Sequence, residues 1–376
     1  MSLPVSVLDR TGIGNKARED LGDIIYNISP TETPATRLFD RTGAEQDAHE
    51  WVTDVLAAAR SDNKHADGDE FIAEGDTTTT TVGSGFDGVA ITAGTRIGNH
   101  CQISRKDIAV TGRAQVVRKA GRRDELGYQI AKAGRELKRD IEASICSNNN
   151  AVQGSTTVAG QAAAYLSWMR NNSSRANLIS GTDGADPAAL SSGFPTGTAA
   201  TDAGDLRPLS ETDILDVIGD CYVEGGGIDT MLMHPTLKQK WSQYMFSPSS
   251  TSSGRIATPF QDHGKSPKAG ATALGAVDVY VSDFGVIDVI PDRFMRTRDV
   301  MIFEAAMWAI AYLRPYQQFD IAKVGDSERR VLLTDWTLVA RNPDSSGVVA
   351  DVDNTAAMQF VSTETQDSTG AFPADA

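Results

Sequence analysis

The sequence of 376 residues is poor in cysteine, with only Cys101, Cys146 and Cys221. Three is an odd number, the positions lie far apart, and no Cys-x-x-Cys pair occurs. This pattern argues against a disulfide framework and against a structural zinc site. It predicts three reduced thiols in a cytosolic protein.

Long apolar runs are also missing. No segment approaches the ~18–20 apolar residues that a membrane-spanning helix needs. The first twenty residues do not place an apolar stretch after a basic one, as a secretion signal does. We therefore expect neither membrane insertion nor secretion. Hydrophobic residues make up 40% of the chain and charged residues 23%, which is typical of a folded, globular protein.

Motifs for catalysis and cofactor binding are scarce. Gly83–Gly88 matches the glycine pattern of dinucleotide sites, but β-like residues follow it where that site requires a helix. The five histidines are dispersed. Phe71 and Ile72 interrupt the pattern of a calcium loop in the acidic run Asp67–Asp76, where a weak surface ion stays open. No G-x-S-x-G motif or phosphate loop appears. We assign no catalytic residue, no cofactor and no metal ligand.

The net charge of −15 argues against a duplex-DNA-binding protein, because affinity for phosphate needs clustered cations. The charge is unevenly distributed. Arg105–Glu142 contain eleven Lys or Arg and six Asp or Glu, whereas the chain from Asp344 onward has six acidic residues and no Lys or Arg. This charge distribution is compatible with a protein that encloses a polyanion without binding it tightly.

Residues 1–48 predict an N-terminal arm. Pro30 and Pro34 exclude a regular helix between them and favour an extended segment that lies on a neighbouring molecule.

Residues 49–112 predict an extended hairpin loop. Glu50–Leu56 and Thr95–Val110 alternate like strands and are separated by a long polar stretch. A lone hairpin is only marginally stable in water, so we expect a neighbouring subunit to order it and to bury Val52 and Ile97.

Residues 113–150 predict one long helix, centred on Gly121–Asn148, that lies against a sheet. Its apolar residues form a narrow stripe on a densely charged helix. They are Leu126, Ile130, Leu137, Ile141 and Ile145. Opposite charges four residues apart, Lys132 with Glu136 and Lys138 with Glu142, predict surface ion pairs.

Residues 151–208 predict a surface insertion, because 32 of the 61 residues from Asn148 to Pro208 are Ala, Gly, Ser or Thr. One short helix is predicted at Gln161–Arg170.

Residues 209–298 predict a small α+β domain. A helix with Ile214, Ile218 and Tyr222 on its apolar face follows a capping pattern at Ser210. Pro235 opens a second helix, and valine-rich strands follow.

Residues 299–345 predict three strand-like runs that form the sheet beneath the long helix. Residues 346–376 predict an acidic C-terminal tail.

These segments resemble the major capsid proteins of tailed bacteriophages, which have the Hong Kong 97-type capsid fold, an α+β architecture. The arm motif Ile28–Pro34 and the late runs Leu313–Pro315 and Arg329–Asn342 carry part of the resemblance. The strongest part is the long helix, which resembles the family's spine helix at Gly121–Arg123, Glu125, Tyr128–Gln129, Lys132, Gly134, Glu136–Asp140 and Glu142.

The resemblance implies a non-enzymatic shell protein. Hexamers and pentamers of the chain would build an icosahedral virion capsid around packaged double-stranded DNA, without sequence-specific binding, after assembly in the host cytoplasm. The spine helix and final strands would form the peripheral domain, and residues 209–298 the axial domain around capsomer centres. A separate scaffolding protein, a portal and a decoration protein are the implied partners.

Three alternatives stay open. A nanocompartment shell of the same fold would enclose protein, a tail or adhesin protein would form rings or fibres, and a hydrolase could assemble its site from dispersed residues.

Overall fold

The computed structural model describes residues 29–56, 59, 61, 94–117, 124–176, 182–246, 278–323 and 325–360. Its α-helices are α1 (Pro34–Leu38), α2 (Gly112–Val116), α3 (Glu125–Ile145), α4 (Glu211–Val223) and α5 (Pro235–Phe246). Short 3₁₀ turns occur at Tyr165–Ser167, Ala305–Met307 and Pro343–Ser345.

The strands of the first half are β1 (Asp40–Gly43), β2 (Ala48–Thr53), β3 (Thr95–His100), β4 (Gln102–Thr111), β5 (Ser173–Ser174) and β6 (Arg207–Pro208). Those of the second half are β7 (Thr230–Met233), β8 (Val279–Ser282), β9 (Gly285–Pro291), β10 (Val300–Phe303), β11 (Trp308–Ile321), β12 (Ser327–Ala340), β13 (Gly347–Val349) and β14 (Val352–Asp353). Helix and sheet are therefore mixed along the chain, as the α+β prediction requires.

A four-stranded sheet has the order β1-β11-β12-β4, with β1 parallel to β11 and the other neighbours antiparallel. The register of β11 against β12 shifts between Tyr312 and Gln317. Pro315 lies in that interval, and a proline has no N–H to donate to a sheet ladder. The shift therefore has a local chemical cause.

The long helix α3 packs on this sheet, as its apolar stripe predicts. Leu126 and Ala133 form a cluster with Ile108 and Val110 of β4. Toward the helix C-terminus, Leu137, Ile141 and Ile145 are almost completely buried. Each fully buried aliphatic side chain of this kind contributes ~1.5–3 kcal/mol, so the stripe determines which face of the helix meets the sheet.

A six-stranded sheet of order β5-β13-β10-β7-β9-β8 is buried on both faces at its centre. Val300 and Ile302 of β10 point into a core with α4 and α5, whose side chains include Trp241. Met301 and Phe303 point to the opposite core. A strand covered on both sides is expected to be apolar without alternation, which explains its sequence VMIF.

The opposite core contains six aromatic side chains, which are Phe39, Tyr165, Trp168, Phe303, Trp308 and Trp336. Tyr165 lies 4.7 Å from Trp308 between ring centroids, and Phe39 stacks on Trp308 at 5.8 Å. The Tyr165 hydroxyl donates to the carbonyl oxygens of Ile302 and Gly347, at 2.9 and 2.8 Å. This core therefore joins the N-terminal segment, the middle of the chain and both sheets.

The prediction of a surface insertion at 151–208 is wrong for residues 162–169, whereas residues 153–159 are exposed. Ala162–Met169 are almost completely buried, and the helix predicted at Gln161–Arg170 is reduced to the 3₁₀ turn at Tyr165–Ser167. Small residues here allow close packing rather than solvent exposure. Arg296 forms ion pairs with Asp202 and with buried Asp299, so the later part of the segment is also fixed to the body.

Two predictions about the C-terminal third also need correction. The run predicted as the first of three strands in one sheet is divided, because Val300–Phe303 belongs to the six-stranded sheet and Trp308 begins β11. The acidic tail predicted for 346–376 begins too early. Gly347–Val349 pairs with β10, and Val348 to Asp351 are fully buried. The apolar side chains of this segment are buried, although the segment is acidic in its overall composition.

The helices predicted at residues 210–245 are confirmed, with two corrections. Ile214 and Ile218 are buried as predicted, and Leu237 and Trp241 of α5 are also buried. Tyr222 is 56% exposed. The Ser210 side chain makes no cap hydrogen bond to the helix but bonds the Thr212 hydroxyl and the Phe360 carbonyl.

Candidate assembly surface

The β2–β3 hairpin is attached to the body of the protein at its base. β2 and β3 are antiparallel, with Ala48 opposite His100 and Thr53 opposite Thr95. The hairpin predicted at 49–112 is therefore shorter than expected, because β4 pairs with β12 in the four-stranded sheet. The Trp51 indole N–H donates to the Ala340 carbonyl at 2.9 Å. Side-chain bonds to the backbone hold the base in one orientation relative to β12.

Asn99 provides the second attachment and is completely buried. Its Nδ2 donates to the Leu338 carbonyl at 2.8 Å, and its Oδ1 accepts from the Ala163 N–H at 2.9 Å. Gly193, at φ 88°, accepts a hydrogen bond from the Gly98 N–H at 3.0 Å. A Cβ at Gly193 would collide with the Arg96 carbonyl oxygen, so glycine is required at this contact.

Beyond the base, the hairpin exposes apolar side chains. Val52 is 66% exposed, Val55 85% and Leu56 94%. Clustered apolar exposure of this kind is typical of protein interaction surfaces. The expectation that a neighbour buries both Val52 and Ile97 is wrong for Ile97, which is already buried within its own chain at 5% exposure. The polar stretch between the strands lies mostly outside the described residues.

A second exposed apolar surface lies on the β8–β9 hairpin. Val281 is 66% exposed and Val286 60%, while Tyr280 and Ile287 of the same strands are buried. β8 is the last strand in the order of its sheet. Within the described residues this hairpin therefore presents an apolar face at a sheet edge, a position that a neighbouring chain can extend or cover.

The short helix α1 is held by α3 through Glu142. Glu142 Oε1 accepts the Ala35 N–H at 2.6 Å and Oε2 accepts the Thr36 N–H at 2.8 Å. The backbone N–H groups in the first turn of any helix have no partner within the helix. A carboxylate near this end is stabilised by those N–H groups and by the helix dipole. Thr33 makes no side-chain cap, so α3 supplies the cap from 107 residues away.

This role overturns one surface ion-pair prediction. Lys132 and Glu136 pair at 3.7 Å as predicted, but Glu142 is completely buried and turned to α1 instead of Lys138. Burial, followed by the negative charge of Asp292, raises the pKa of Glu142 to about 7. The N–H bonds from Thr36 and Ala35 oppose this rise.

Glu142, Cys146 and Asp292 lie within 4.8 Å of one another, a grouping that sequence reasoning missed. Cys146 follows Glu142 by one helical turn, but nothing in the sequence pairs them with Asp292. The Cys146 thiol donates to Asp292 Oδ2 at 3.4 Å, and Asp292 Oδ1 accepts the Phe294 N–H at 2.9 Å. Because these ligand atoms already have protein partners, we assign no metal here.

The other residues considered for chemistry are not brought together in the described residues. His100 stacks on Phe194 at 4.7 Å, and burial lowers its pKa. His234 Nδ1 lies 2.7 Å from the Thr236 hydroxyl at the start of α5. His49 lies on β2. Outside the described residues lie His65, His263, the glycine motif Gly83–Gly88 and the acidic run Asp67–Asp76.

The three cysteines are buried and unpaired, as the sequence predicts. Burial raises the pKa of the Cys101 and Cys221 thiols to about 12, which makes them poor nucleophiles. Among the described helices, none combines the length and hydropathy of a membrane-spanning segment.

Comparison with known proteins identifies the family. Residues 8–353 match the family described as SU10 major capsid protein. The major capsid protein of Escherichia phage Phieco32 is 24% identical over 345 residues, which cover 86% of this chain and 90% of that protein.

Solved structures show the same fold at low sequence identity. A chain from Mycobacterium phage Bobi has a TM-score of 0.54 at 11% identity, over 92% of this chain and 99% of that one. The cyanophage A-1(L) capsid asymmetric unit gives a TM-score of 0.56 at 14% identity, over 92% and 98%. The capsid of a native GTA particle gives 0.53 at 9%, over 93% and 100%.

The expected Hong Kong 97-type capsid fold is thus confirmed. The chain belongs to the SU10 major capsid protein family and is a major capsid protein of a phage virion.

Proposed function

We propose that hexamers and pentamers of this chain form an icosahedral shell that encloses double-stranded DNA, and that the chain catalyses no reaction. The observation that carries the proposal is the β2–β3 hairpin. Trp51 and Asn99 fix its base, whereas Val52, Val55 and Leu56 are exposed beyond it. A rigidly aimed apolar extension is suited to binding a neighbouring subunit.

The two sheets support a division of the subunit into two domains with different roles. The four-stranded sheet with α3 corresponds to the peripheral domain, with α3 as its spine helix. The six-stranded sheet with α4 and α5 corresponds to the axial domain, where the exposed face of β8–β9 meets its copies around the capsomer centre. The arm predicted at 1–48 is shorter than expected, because Ala35 and Phe39 are buried in the core of their own chain and β1 pairs with β11. Residues 1–28 lie outside the described residues, and we propose that they extend onto a neighbour.

The net charge of the chain supports a shell that encloses DNA without binding it tightly. A net charge of −15 disfavours tight binding to phosphate, so the shell holds DNA without reading its sequence. We further propose assembly in the host cytoplasm with a separate scaffolding protein, a portal and a decoration protein.

Negative-stain microscopy of the overexpressed chain tests this function, with and without the proteins encoded beside its gene. We expect closed shells with five- and six-subunit capsomers. Rings or fibres would overturn the proposal. Shells that fill with a dedicated protein cargo in place of DNA would make the chain a nanocompartment protein, and turnover in a hydrolase screen would overturn its non-enzymatic character.

A further inference from the structure

A cleft of about 520 Å³ lies where α1, β1, α3 and β11 meet. Three exposed cations line it, which are Arg37 from α1, Arg41 from β1 and Lys138 from α3. Tyr312 and Tyr316 of β11 form an aromatic wall, with ring centroids 6.0 Å apart. We call these five residues the cationic cleft. The fold therefore brings together cations that lie far apart in the sequence.

Carboxylates close to these cations in the sequence are engaged with other partners. Asp40 pairs with Arg341 at 2.9 Å, and Asp140 pairs with Lys106 at 2.6 Å. Glu142 is turned to the backbone of α1. In the described part of the chain, no acidic side chain lines the cationic cleft. Three like charges in one cleft repel one another until an anion binds there.

The tyrosine hydroxyls add neutral donors to the cationic cleft. Burial, the largest cause, raises the pKa of Tyr312 and of Tyr316, and the positive charge of Arg41 opposes the rise for both. Both hydroxyls are therefore protonated at neutral pH, and Arg41 lies close enough to act on each. From the described residues, the cleft presents positive charge and O–H donors without a carboxylate oxygen.

This set of groups fits a phosphate backbone. Contacts to nucleic-acid phosphates come from Arg, Lys and hydroxyl side chains, and the planar guanidinium of arginine matches the geometry of phosphate oxygens. The cleft has the volume of a ligand-sized site, so a duplex would meet it with one strand of its backbone.

The net charge determines how strong such a contact is. The chain carries −15 overall, so the rest of its surface repels DNA and only a weak, local contact is expected. Duplex DNA carries one phosphate charge per ~1.7 Å of its axis. A weak cationic site repeated in every subunit of a shell is therefore sufficient to contact the enclosed DNA at many points.

We propose that the cationic cleft binds the phosphate backbone of the enclosed double-stranded DNA. The inference rests on the proposed shell function and adds an orientation, because the surface formed by α1, β1 and the middle of α3 then faces the interior of the shell. The contact reads no sequence, since phosphate contacts carry no sequence information.

The salt dependence of DNA binding tests the proposal. The cleft variant carries Arg37→Gln, Arg41→Gln and Lys138→Gln. Fluorescence anisotropy compares its unassembled subunit with the wild type on a labelled duplex of ~20 base pairs, between ~50 and ~200 mM salt. Each lost phosphate contact lowers the slope of log affinity against log salt by ~0.9. We expect the cleft variant to bind at least ~10-fold more weakly at the lowest salt, with a slope reduced by ~2–3. Equal slopes, or no measurable binding by the wild type, would refute the proposal.

A matched control removes the same charge from another surface. Arg105 and Arg329 lie on the face of the four-stranded sheet opposite α3, and Lys323 follows β11. All three are exposed. The control variant Arg105→Gln, Lys323→Gln and Arg329→Gln should keep the wild-type slope. An equal loss of slope in this control would show that net charge alone governs binding, and would overturn the proposal. Thermal melts show that each variant is folded.

Two further measurements test other occupants. Millimolar inorganic phosphate should not stabilise the wild type in a thermal melt more than it stabilises the cleft variant. A larger rise in the wild type would assign the cleft to a small anion and overturn the proposal. The cleft variant should also form closed shells with the wild-type yield. Loss of shells from a variant that still melts cooperatively would assign the cleft to a contact between protein copies and overturn it as well.

Chemical labelling of shells locates the cationic cleft relative to the DNA. Lys138 should be acetylated severalfold more slowly in DNA-filled shells than in emptied ones, whereas Lys323 should react equally in both. Equal rates at Lys138 would refute the proposed orientation. If the wild-type chain forms no shells, the shell function fails, and the anisotropy measurement on the subunit still decides whether the cleft binds DNA.

Discussion

Glu142→Gln tests the link between α1 and α3. The wild-type carboxylate is buried beside Asp292 and Cys146 and accepts two backbone N–H bonds. A glutamine has nearly the same shape but no charge at any pH, and its amide oxygen replaces only one of the two acceptors. We expect a constant cost of ~1 kcal/mol from the lost hydrogen bond, with a pH-dependent difference added to it.

The sign of the pH dependence follows from the raised pKa of Glu142. In the folded protein this pKa is about 7, above the ordinary value of 4.5. Between these values the folded protein retains a proton that the unfolded chain has released, so stability falls as pH rises. The difference between the two pKa values corresponds to ~3 kcal/mol, lost by about pH 7.

Urea denaturation of the unassembled subunit from pH 4.5 to 8.5 measures this effect. The wild type should lose ~3 kcal/mol relative to Glu142→Gln across that range, while other titrating groups, such as Asp299, cancel in the comparison. Glu136→Gln, whose carboxylate pairs with Lys132 at the surface, is the matched control and should change by less than ~1 kcal/mol. A wild-type-to-variant difference that is independent of pH, or that grows in the opposite direction, would refute the reasoning.

Other substitutions test the packing and the hairpin. Leu137→Ala should lower the free energy of unfolding by ~2–5 kcal/mol. Ile130→Ala, at a partly buried position, should lower it by less, and Arg135→Ala should lower it by under ~1 kcal/mol. The reverse order in chemical denaturation would disprove the assigned helix face. Gly193→Ala should destabilise by ~1–3 kcal/mol, and an unchanged melting temperature would contradict the required glycine. Replacing residues 57–94 with a short Gly-Ser linker should leave a cooperatively melting subunit that forms no closed shells. Microscopy and a melt on one preparation check this, and normal shells would remove the hairpin from assembly.

Local sequence patterns were sufficient to predict the three long helices. The stripe from Leu126 to Ile145 predicted α3 and its sheet-facing side, because burial of one helical face is encoded at a spacing of three and four residues. Pro235 predicted the start of α5, since proline tolerates only the first turn. The order of these elements, with the charged sequence of α3, was enough to indicate the capsid fold.

Tertiary packing decided which segments lie inside. The composition of residues 151–208 predicts a surface insertion, but residues 162–169 pack in the core that contains Trp308 and Phe303. The acidic sequence after Ser346 predicts a tail, yet Val348 and its neighbours complete a sheet. The composition of a segment indicates only its average polarity. The burial of its residues depends on which other segments pack against it.

The long-range polar contacts could not be predicted from the sequence either. Helical spacing predicts that Glu142 pairs with Lys138, a surface contact worth only ~0.2–0.5 kcal/mol. The folded chain instead places the free N–H groups of α1 against Glu142. By itself, then, the sequence determined α3, α4 and α5, most strands and the family, because local patterns encode them. Only the tertiary structure decided the partners of buried charges and the surfaces left exposed, because both depend on segments a hundred or more residues apart.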